Sequence, residues 1–209
     1  MITSIVQYVT LPLNYYFNFI FFNILHKQLT SKYDSKMSNN FTAMVHAVGS
    51  TILAGRYITN KTNENYNTLT SYSSAYFLYD MLFILKYWKA KNLEYAYLYH
   101  HMASLFLMHQ DPLKYYGGHI LFFGELSNIP SYFVYYYQKQ KNKESLVKKL
   151  KWAQFILYSG IRIPIMTKIL NDAYENSKQK EGSILPFLIG APVYLMGLVW
   201  TKKLFNKLI

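Results

Sequence analysis

The chain has 209 residues, no cysteine, and a formal charge of +12 that arises from 22 Lys and Arg against 10 Asp and Glu. The lack of cysteine excludes disulfides, thiolate nucleophiles and zinc–thiolate sites. The mean hydropathy of −0.01 is low for a membrane protein, but the 22 tyrosines lower it, because tyrosine scores as polar although it suits the bilayer interface.

Seven apolar runs alternate with short charged connectors along the whole chain. A transmembrane helix needs about 17 to 25 residues, and the third and fourth runs are short, so their flanking Tyr, Trp and Lys side chains must reach the interface. The pattern predicts an all-α fold, a polytopic helical bundle of about seven transmembrane helices in one membrane domain. The runs are residues 2–25, 41–58, 71–85, 93–108, 113–137, 152–170 and 184–204.

The basic residues of the connectors divide into two classes. Cytosolic loops of a multi-pass protein collect Lys and Arg, and alternate connectors differ here by fifteen to five. This predicts a lumenal N-terminus and a cytosolic C-terminus. The rich set is Lys27, Lys32, Lys36, Lys86, Lys89, Lys91, Lys139, Lys141, Lys143, Lys148, Lys149, Lys151, Lys202, Lys203 and Lys207; the poor set is Arg56, Lys61, Lys114, Lys178 and Lys180.

Ionisable residues occur inside five of the runs, starting with the second. A charged group near the bilayer centre costs about 2.5 to 3.5 kcal/mol, so each predicts a functional role. In chain order they are His46, Asp80, His100 with His101, Glu125 and Arg162. The adjacent histidines are the most informative, and for His46 a helix-packing role competes with a catalytic one.

The histidine pair has polar neighbours at helical spacing. At 100° per residue, His100 and His101 point to adjoining sectors, so one can face the bundle interior while the other braces a neighbouring helix. Ser104 lies one turn beyond His100 on the same face. Glu125 and Asn128 are likewise one turn apart, which makes the fifth run a candidate wall of the same site.

Histidine and carboxylate together predict acid–base or nucleophilic chemistry. Asp80 or Glu125 bonded to one ring nitrogen would fix the tautomer and raise the basicity of the other. Such a pair deprotonates an amine or hydroxyl that attacks a thioester, or the imidazole carries the acyl group itself. Arg162 would hold an anionic group or an oxyanion; alternatively, Asp80 or Glu125 forms a structural ion pair with it.

Other classes of function have weaker support in the sequence. Membrane iron enzymes use several histidine clusters, whereas this chain has one His-His and no second cluster near it, so no metal site is predicted. G-x-S-x-G, H-E-x-x-H and P-loop patterns are absent. A transporter is not indicated, because the sequence shows no inverted half-repeat. The composition does not indicate a nucleic-acid partner.

The ordered polar positions resemble those of the TLC-domain family. The resemblance rests on His46, YFLYD ending at Asp80, the histidine pair, GELSNIP around Glu125, and Arg162, and it covers residues 40 to 205. The family includes ceramide synthases, the translocating-chain-associating protein and a ceroid-lipofuscinosis protein. This chain is more similar to the small stand-alone members, because GELSNIPSYF resembles their acidic-Leu-Ser-x-Pro motif, whereas Asn128 stands where ceramide synthases have a second aspartate.

The resemblance implies a barrel of six core helices around a lipid-sized cavity, an additional N-terminal helix (residues 1–38) before a TLC domain (39–209), and residence in the endoplasmic reticulum. It implies a lipid-metabolism protein: either an acyltransferase with acyl-CoA as co-substrate and a sphingoid base or other lipid as acceptor, or a non-enzymatic lipid-binding or trafficking factor. No bound cofactor is expected. The implied catalytic residues are His100, His101, Asp80 and Glu125, and the implied substrate-binding residues are His46, Arg162, Asn128 and Ser104.

Overall fold

A computed structural model describes residues 13–87, 92–110, 114–179 and 183–208, and these residues are almost entirely helical. The first half of the predicted first run, residues 2–12, lies outside the described residues. The helices are α1 (Leu13–Leu29), α2 (Ser35–Thr59), α3 (Asn63–Tyr87), α4 (Asn92–Met108), α5 (Lys114–Tyr137), α6 (Glu144–Phe155), α7 (Ile163–Ser177) and α8 (Leu185–Phe205), with a π-helical segment, Ile156–Arg162, between α6 and α7.

Short polar residues start the second and third helices. Asp34 caps α2, because its carboxylate accepts the backbone N–H of Met37 at 2.8 Å. The hydroxyl of Thr62 accepts the N–H of Asn65 at 3.2 Å at the start of α3. Asp34 also forms an ion pair with Lys139 at 3.1 Å, which joins the α1–α2 connector to the α5–α6 connector at one end of the bundle. Both bonds hold the pKa of Asp34 below its ordinary value.

One continuous helical rod, the sixth in the chain, contains a widened turn. Helices α6 and α7 continue through Ile156–Arg162 without a break, and the N–H of Ile163 bonds to the carbonyl of Tyr158, five residues back. Pro164 follows directly and has no N–H to offer the carbonyl of Gly160, four residues earlier. The π turn accommodates this missing donor, and Arg162 is its last residue. We call residues 144–177 the long rod.

Six of the seven rods close into a ring. α2 packs on α3, α3 on α4, α4 on α8, α8 on the long rod, the long rod on α5, and α5 back on α2. α1 lies outside this ring and packs on α3 and α2. The arrangement expected from the family resemblance, six core helices and one additional N-terminal helix, is therefore present among the described residues.

Polar and apolar side chains are both buried inside the bundle, and many large apolar side chains lie on its surface. The buried polar groups include serine, threonine and histidine side chains of α2 and α3, among them Ser50 and Ser73, whose hydroxyls bond at 2.6 Å. Large apolar side chains point outward, for example Phe17 at 66%, Leu85 at 67% and Leu195 at 60% exposure. Buried polar groups and large exposed apolar side chains are features that a water-soluble domain shows less often.

By length and composition, one helix in the described part of the chain, Leu185–Phe205, is apolar enough to cross a membrane. The buried polar residues and tyrosines lower the mean hydropathy of the others. For example, α3 is longer than the apolar run that predicted it. It begins at Asn63, eight residues before that run, and Asn65, Thr70 and Ser71 are buried in its first half.

Candidate functional site

The two adjacent histidines of α4 face different surroundings. His101 points to α3, where its Nε2 lies 2.8 Å from Oδ2 of Asp80. His100 lines a cavity, and the ring centroids of the pair are 5.7 Å apart. The expectation that one histidine braces a neighbouring helix while the other faces the interior is confirmed.

Asp80 and His101 form a buried dyad. Asp80 is 7% and His101 9% exposed. Since a carboxylate only accepts hydrogen bonds, Nε2 of His101 is the donor. The second carboxylate oxygen, Oδ1, accepts the side-chain amide of Asn39 at 3.0 Å, and the carbonyl of that amide accepts the hydroxyl of Tyr79 at 3.1 Å. Phe77 stacks on the His101 ring at 4.9 Å.

His46 lies in an aromatic cage between α1, α2 and α3. Its ring is fully buried and stacks on Tyr76 with centroids 3.9 Å apart and planes 9° apart. Phe22 and Phe77 meet it edge-on. Its Nδ1 is 3.9 Å from Oε2 of Glu125. His46 is not among the residues that line the cavity described below, because the rings of its cage surround it; its substrate-binding role stays a prediction.

Arg162 joins the long rod to α5 through one nitrogen. Nη1 donates to the side-chain carbonyl of Asn128 at 3.1 Å and approaches the hydroxyl of Ser127 and the carbonyl of Gly124, both at 3.4 Å. The guanidinium also lies over the ring of Tyr158 at 4.6 Å. Arg162 is 9% exposed, and among the described residues nothing accepts from its Nε or Nη2.

Glu125 shares this turn of α5. Its Oε2 accepts the amide of Asn128 at 3.4 Å, so Asn128 lies between Glu125 and Arg162 and bonds to both. Among the described residues, neither Glu125 nor Asp80 forms an ion pair with Arg162; their partners are His46 and His101. The alternative of a structural ion pair with Arg162 is therefore not observed.

A cavity of about 120 Å³ lies between α4, α5, the long rod and α8. Its polar end consists of His100, Ser104, Glu125 and Arg162, and we call these four residues the polar end. The rest of the wall is largely apolar and continues to Gly117 on α5, eight residues before Glu125, which is about 12 Å along a helix. The cavity is thus a largely apolar slot with polar groups at one end.

Six of the eight sequence-predicted site residues lie either in the cavity or in the dyad. The cavity holds His100, Ser104, Glu125 and Arg162. The dyad holds His101 and Asp80, and Phe77 borders both, since it lines the cavity and stacks on His101. Asn128 lies behind the polar end. Within the described ranges, no three His, Asp or Glu side chains converge as metal ligands.

Sequence reasoning did not select Asn39 or Phe77. Asn39 precedes His46 by seven residues, two helical turns, so both lie on one face of α2. That spacing was a usable signal. Phe77 has none, because one phenylalanine among many in an apolar run does not stand out until the neighbouring helix is in place.

Comparison with family models matches residues 36–206 to the model of the TLC domain. The chain belongs to the TLC-domain family. This match covers most of the chain and confirms the family inferred from the polar positions; it also places the protein in a membrane-associated, lipid-related family. Searches among curated proteins and among solved structures gave no match for this TLC-domain protein.

Proposed function

We propose that this TLC-domain protein is a multi-pass membrane acyltransferase that binds one acyl chain in its cavity. The single observation that supports this most directly is the cavity itself, in which a histidine, a carboxylate and an arginine stand together at one end of an otherwise apolar slot. Acyl-CoA is the co-substrate and a sphingoid base or another membrane lipid is the acceptor.

His100 acts on the acyl group at the polar end. As acyl carrier, a ring nitrogen attacks the thioester carbonyl, the C–S bond breaks, and the thiolate leaves with the imidazole proton; the acceptor then displaces the imidazole and releases its own proton to it. As general base, His100 takes the acceptor's proton during direct attack. Arg162 stabilises the oxyanion in either route, and Glu125 orients the acceptor.

The remaining predicted residues support the polar end from behind. The Asp80–His101 dyad anchors α4 on α3, Asn128 holds Arg162, and His46 contacts Glu125 from its aromatic cage. In this assignment His101, Asp80, Asn128 and His46 act through the groups that line the cavity.

All seven rods cross the membrane in this proposal, with a lumenal N-terminus and a cytosolic C-terminus in the endoplasmic reticulum. Three observations support it: the asymmetry of basic residues between alternate connectors, the outward-facing apolar side chains, and the Asp34–Lys139 pair, which lies between two lysine-bearing connectors at one end. Residues 1–38 form a separate N-terminal helix and connector, and residues 39–209 form the TLC domain.

The second candidate is a non-enzymatic lipid-binding or trafficking factor. One observation favours it: His101 and Asp80 are not among the residues that line the cavity and instead join α4 to α3, so half of the predicted catalytic set serves helix packing. In that case the polar end recognises a headgroup, and no bond in the lipid changes.

The deciding experiment supplies isotope-labelled acyl-CoA and a sphingoid base, or total membrane lipid, to membranes containing the wild type, His100→Ala or His109→Ala. Labelled amides or esters are then identified by mass spectrometry. His109 is a matched control, because it bonds to Ser74 away from the polar end. We expect a labelled product from the wild type and His109→Ala but not from His100→Ala.

The two routes differ in one further measurement. An acyl carrier leaves a mass increment of one acyl group on the peptide that contains His100 when the acceptor is withheld, whereas a general base leaves none. No histidine-dependent product, with all three proteins equally monodisperse after extraction, contradicts the enzyme and favours the lipid-binding factor.

A further inference from the structure

A row of hydrogen bonds leads to the Asp80–His101 dyad and links three helices. The hydroxyl of Tyr79 donates to the amide carbonyl of Asn39, and the amide nitrogen of Asn39 donates to Oδ1 of Asp80. Oδ2 of Asp80 then accepts Nε2 of His101. Asn39 belongs to α2, Tyr79 and Asp80 to α3, and His101 to α4, so the row crosses two helix interfaces.

Asn39 is suited to fix the rotation of the Asp80 carboxylate. A carboxylate with one bonded oxygen can turn about its Cβ–Cγ bond, whereas one bonded on both sides has a single orientation. The carboxylate of Asp80 faces the nitrogen end of the Asn39 amide, because a carboxylate only accepts hydrogen bonds. The carbonyl end of the amide is then held by the hydroxyl of Tyr79, which donates to it. Asn39 on α2 therefore determines which carboxylate oxygen of Asp80 faces His101.

The anchored His101 sets the direction of His100. The two residues are adjacent on α4, so the rotation of this helix that places His101 against Asp80 also brings His100 into the cavity wall. Buried hydrogen bonds to charged groups are among the stronger determinants of such orientation. A loose dyad would let α4 rotate and move His100 within the polar end.

We propose that Asn39 and Tyr79 are positioning residues for the histidine pair: they hold Asp80 so that the proton of His101 resides on Nε2, and they thereby keep His100 directed into the cavity. The catalytic meaning of this assignment rests on the proposed acyltransferase function. The effect on the His101 ring does not depend on it.

The chain offers a matched control for each residue. Asn40 is the next residue of α2, is half-buried like Asn39, and donates its amide to the backbone carbonyl of Tyr132 at 3.1 Å. Tyr72 is on α3 like Tyr79, and its hydroxyl donates to the carbonyl of Val45 at 3.0 Å. Asn39→Leu is therefore compared with Asn40→Leu, and Tyr79→Phe with Tyr72→Phe.

The first readout is the ¹⁵N spectrum of the histidine rings in protein reconstituted in nanodiscs. The His101 signals are assigned by their loss in His101→Gln. In the wild type we expect Nε2 to carry the proton. In Asn39→Leu its shift moves toward the value of mixed tautomers, and Tyr79→Phe moves it less, while both controls keep the wild-type shift.

The second readout is the formation of labelled product described above. We expect Asn39→Leu to lower the turnover number by about tenfold, the scale of one hydrogen bond to a charged group, with the KM for acyl-CoA unchanged. Asn39→Gln keeps an amide at this position. We expect its His101 shift and its turnover number to lie closer to those of the wild type than the values of Asn39→Leu do, which a purely structural role would not require.

An unchanged His101 spectrum in Asn39→Leu, or an equal change in Asn40→Leu, overturns the proposal. If Asn39→Leu fails to fold, Tyr79→Phe, which removes one oxygen, decides by the same comparison with Tyr72→Phe. If the wild type forms no product with any acceptor, the proposed function fails, and the spectrum still decides the role of Asn39 by itself.

Discussion

Replacement of Arg162 by methionine tests the polar end of the cavity. Arg162 is 9% exposed, its three hydrogen bonds to the protein all use Nη1, and it lines the cavity. The N–H groups on Nε and Nη2 are three donors available to an anionic ligand group. A hydrogen bond to a charged group contributes about 1.5 to 3 kcal/mol, so Arg162→Met should weaken the binding of a fatty acid by about 10- to 150-fold.

The assay is photo-crosslinking of a diazirine-labelled fatty acid in nanodiscs over a concentration range, with the labelled fraction measured by mass spectrometry. The fatty alcohol of the same chain length is the matched ligand, because it fills the same slot without the anionic group. Lys168→Met is the matched protein control: Lys168 is on the long rod and pairs with Asp172, and its side chain is 77% exposed.

We expect Arg162→Met to lower the affinity for the acid more than that for the alcohol, because the carboxylate is attracted to the guanidinium by its charge as well as by hydrogen bonds, whereas the alcohol is uncharged. An equal loss for both ligands would mean that the substitution deforms the cavity. A loss as large in Lys168→Met would show that surface charge, and not the polar end, attracts the acid.

Three further predictions concern stability and topology. Gly49→Ala should destabilise the fold by about 1 to 3 kcal/mol in denaturant titration, because a Cβ there would collide with a tyrosine ring, whereas Gly124→Ala meets open space and should be neutral or stabilising. Asp34→Asn should lower the unfolding temperature at pH 7 and lose this effect below pH 3.8, because the pKa of Asp34 is lowered in the folded state and its stabilisation disappears as the carboxylate protonates. In sealed microsomes, Lys139→Cys should react with an impermeant maleimide from the cytosolic side and Thr62→Cys should not, because the proposed orientation places residue 62 on the lumenal side. The chain has no other cysteine that would react.

Each of these has a clear contrary result. Equal stability of the two alanine variants would show that the tyrosine ring moves aside without cost. A stability difference for Asp34→Asn that persists in acid would assign the effect to the shape of the side chain and not to its charge. Labelling at residue 62 in place of residue 139 would invert the proposed orientation.

The positions of the helices were predictable because apolar runs mark them directly. α4 and α8 begin and end within a residue or so of the predicted runs. α3 was underestimated because its first eight residues are mostly polar, although Asn65 and Thr70 among them are buried. Where polar side chains are buried between helices, low hydropathy does not mark the end of a helix.

Helical geometry predicted that His100 and His101 point in different directions, but it did not predict which residues they contact. The 100° step per residue separates His100 from His101 whatever surrounds them. That His101 meets Asp80, and that Glu125 meets His46 and not Arg162, depends on the relative heights and rotations of neighbouring helices. A single sequence contains no direct record of those quantities, and for the same reason Asn39 was not selected.

The π turn has a consequence for which changes of sequence the polar end can tolerate. A π turn is equivalent to one residue inserted into an α-helix, and removing a residue from Ile156–Arg162 would restore the ordinary pattern. The whole segment on one side of the deletion would then rotate by about 100° and shift by about 1.5 Å. Arg162 would lose its register with either the lysine-rich start of the long rod or the cavity wall of α7. Point substitutions near Arg162 change one contact each, whereas a single deletion would change the register between the whole start of the long rod and α7.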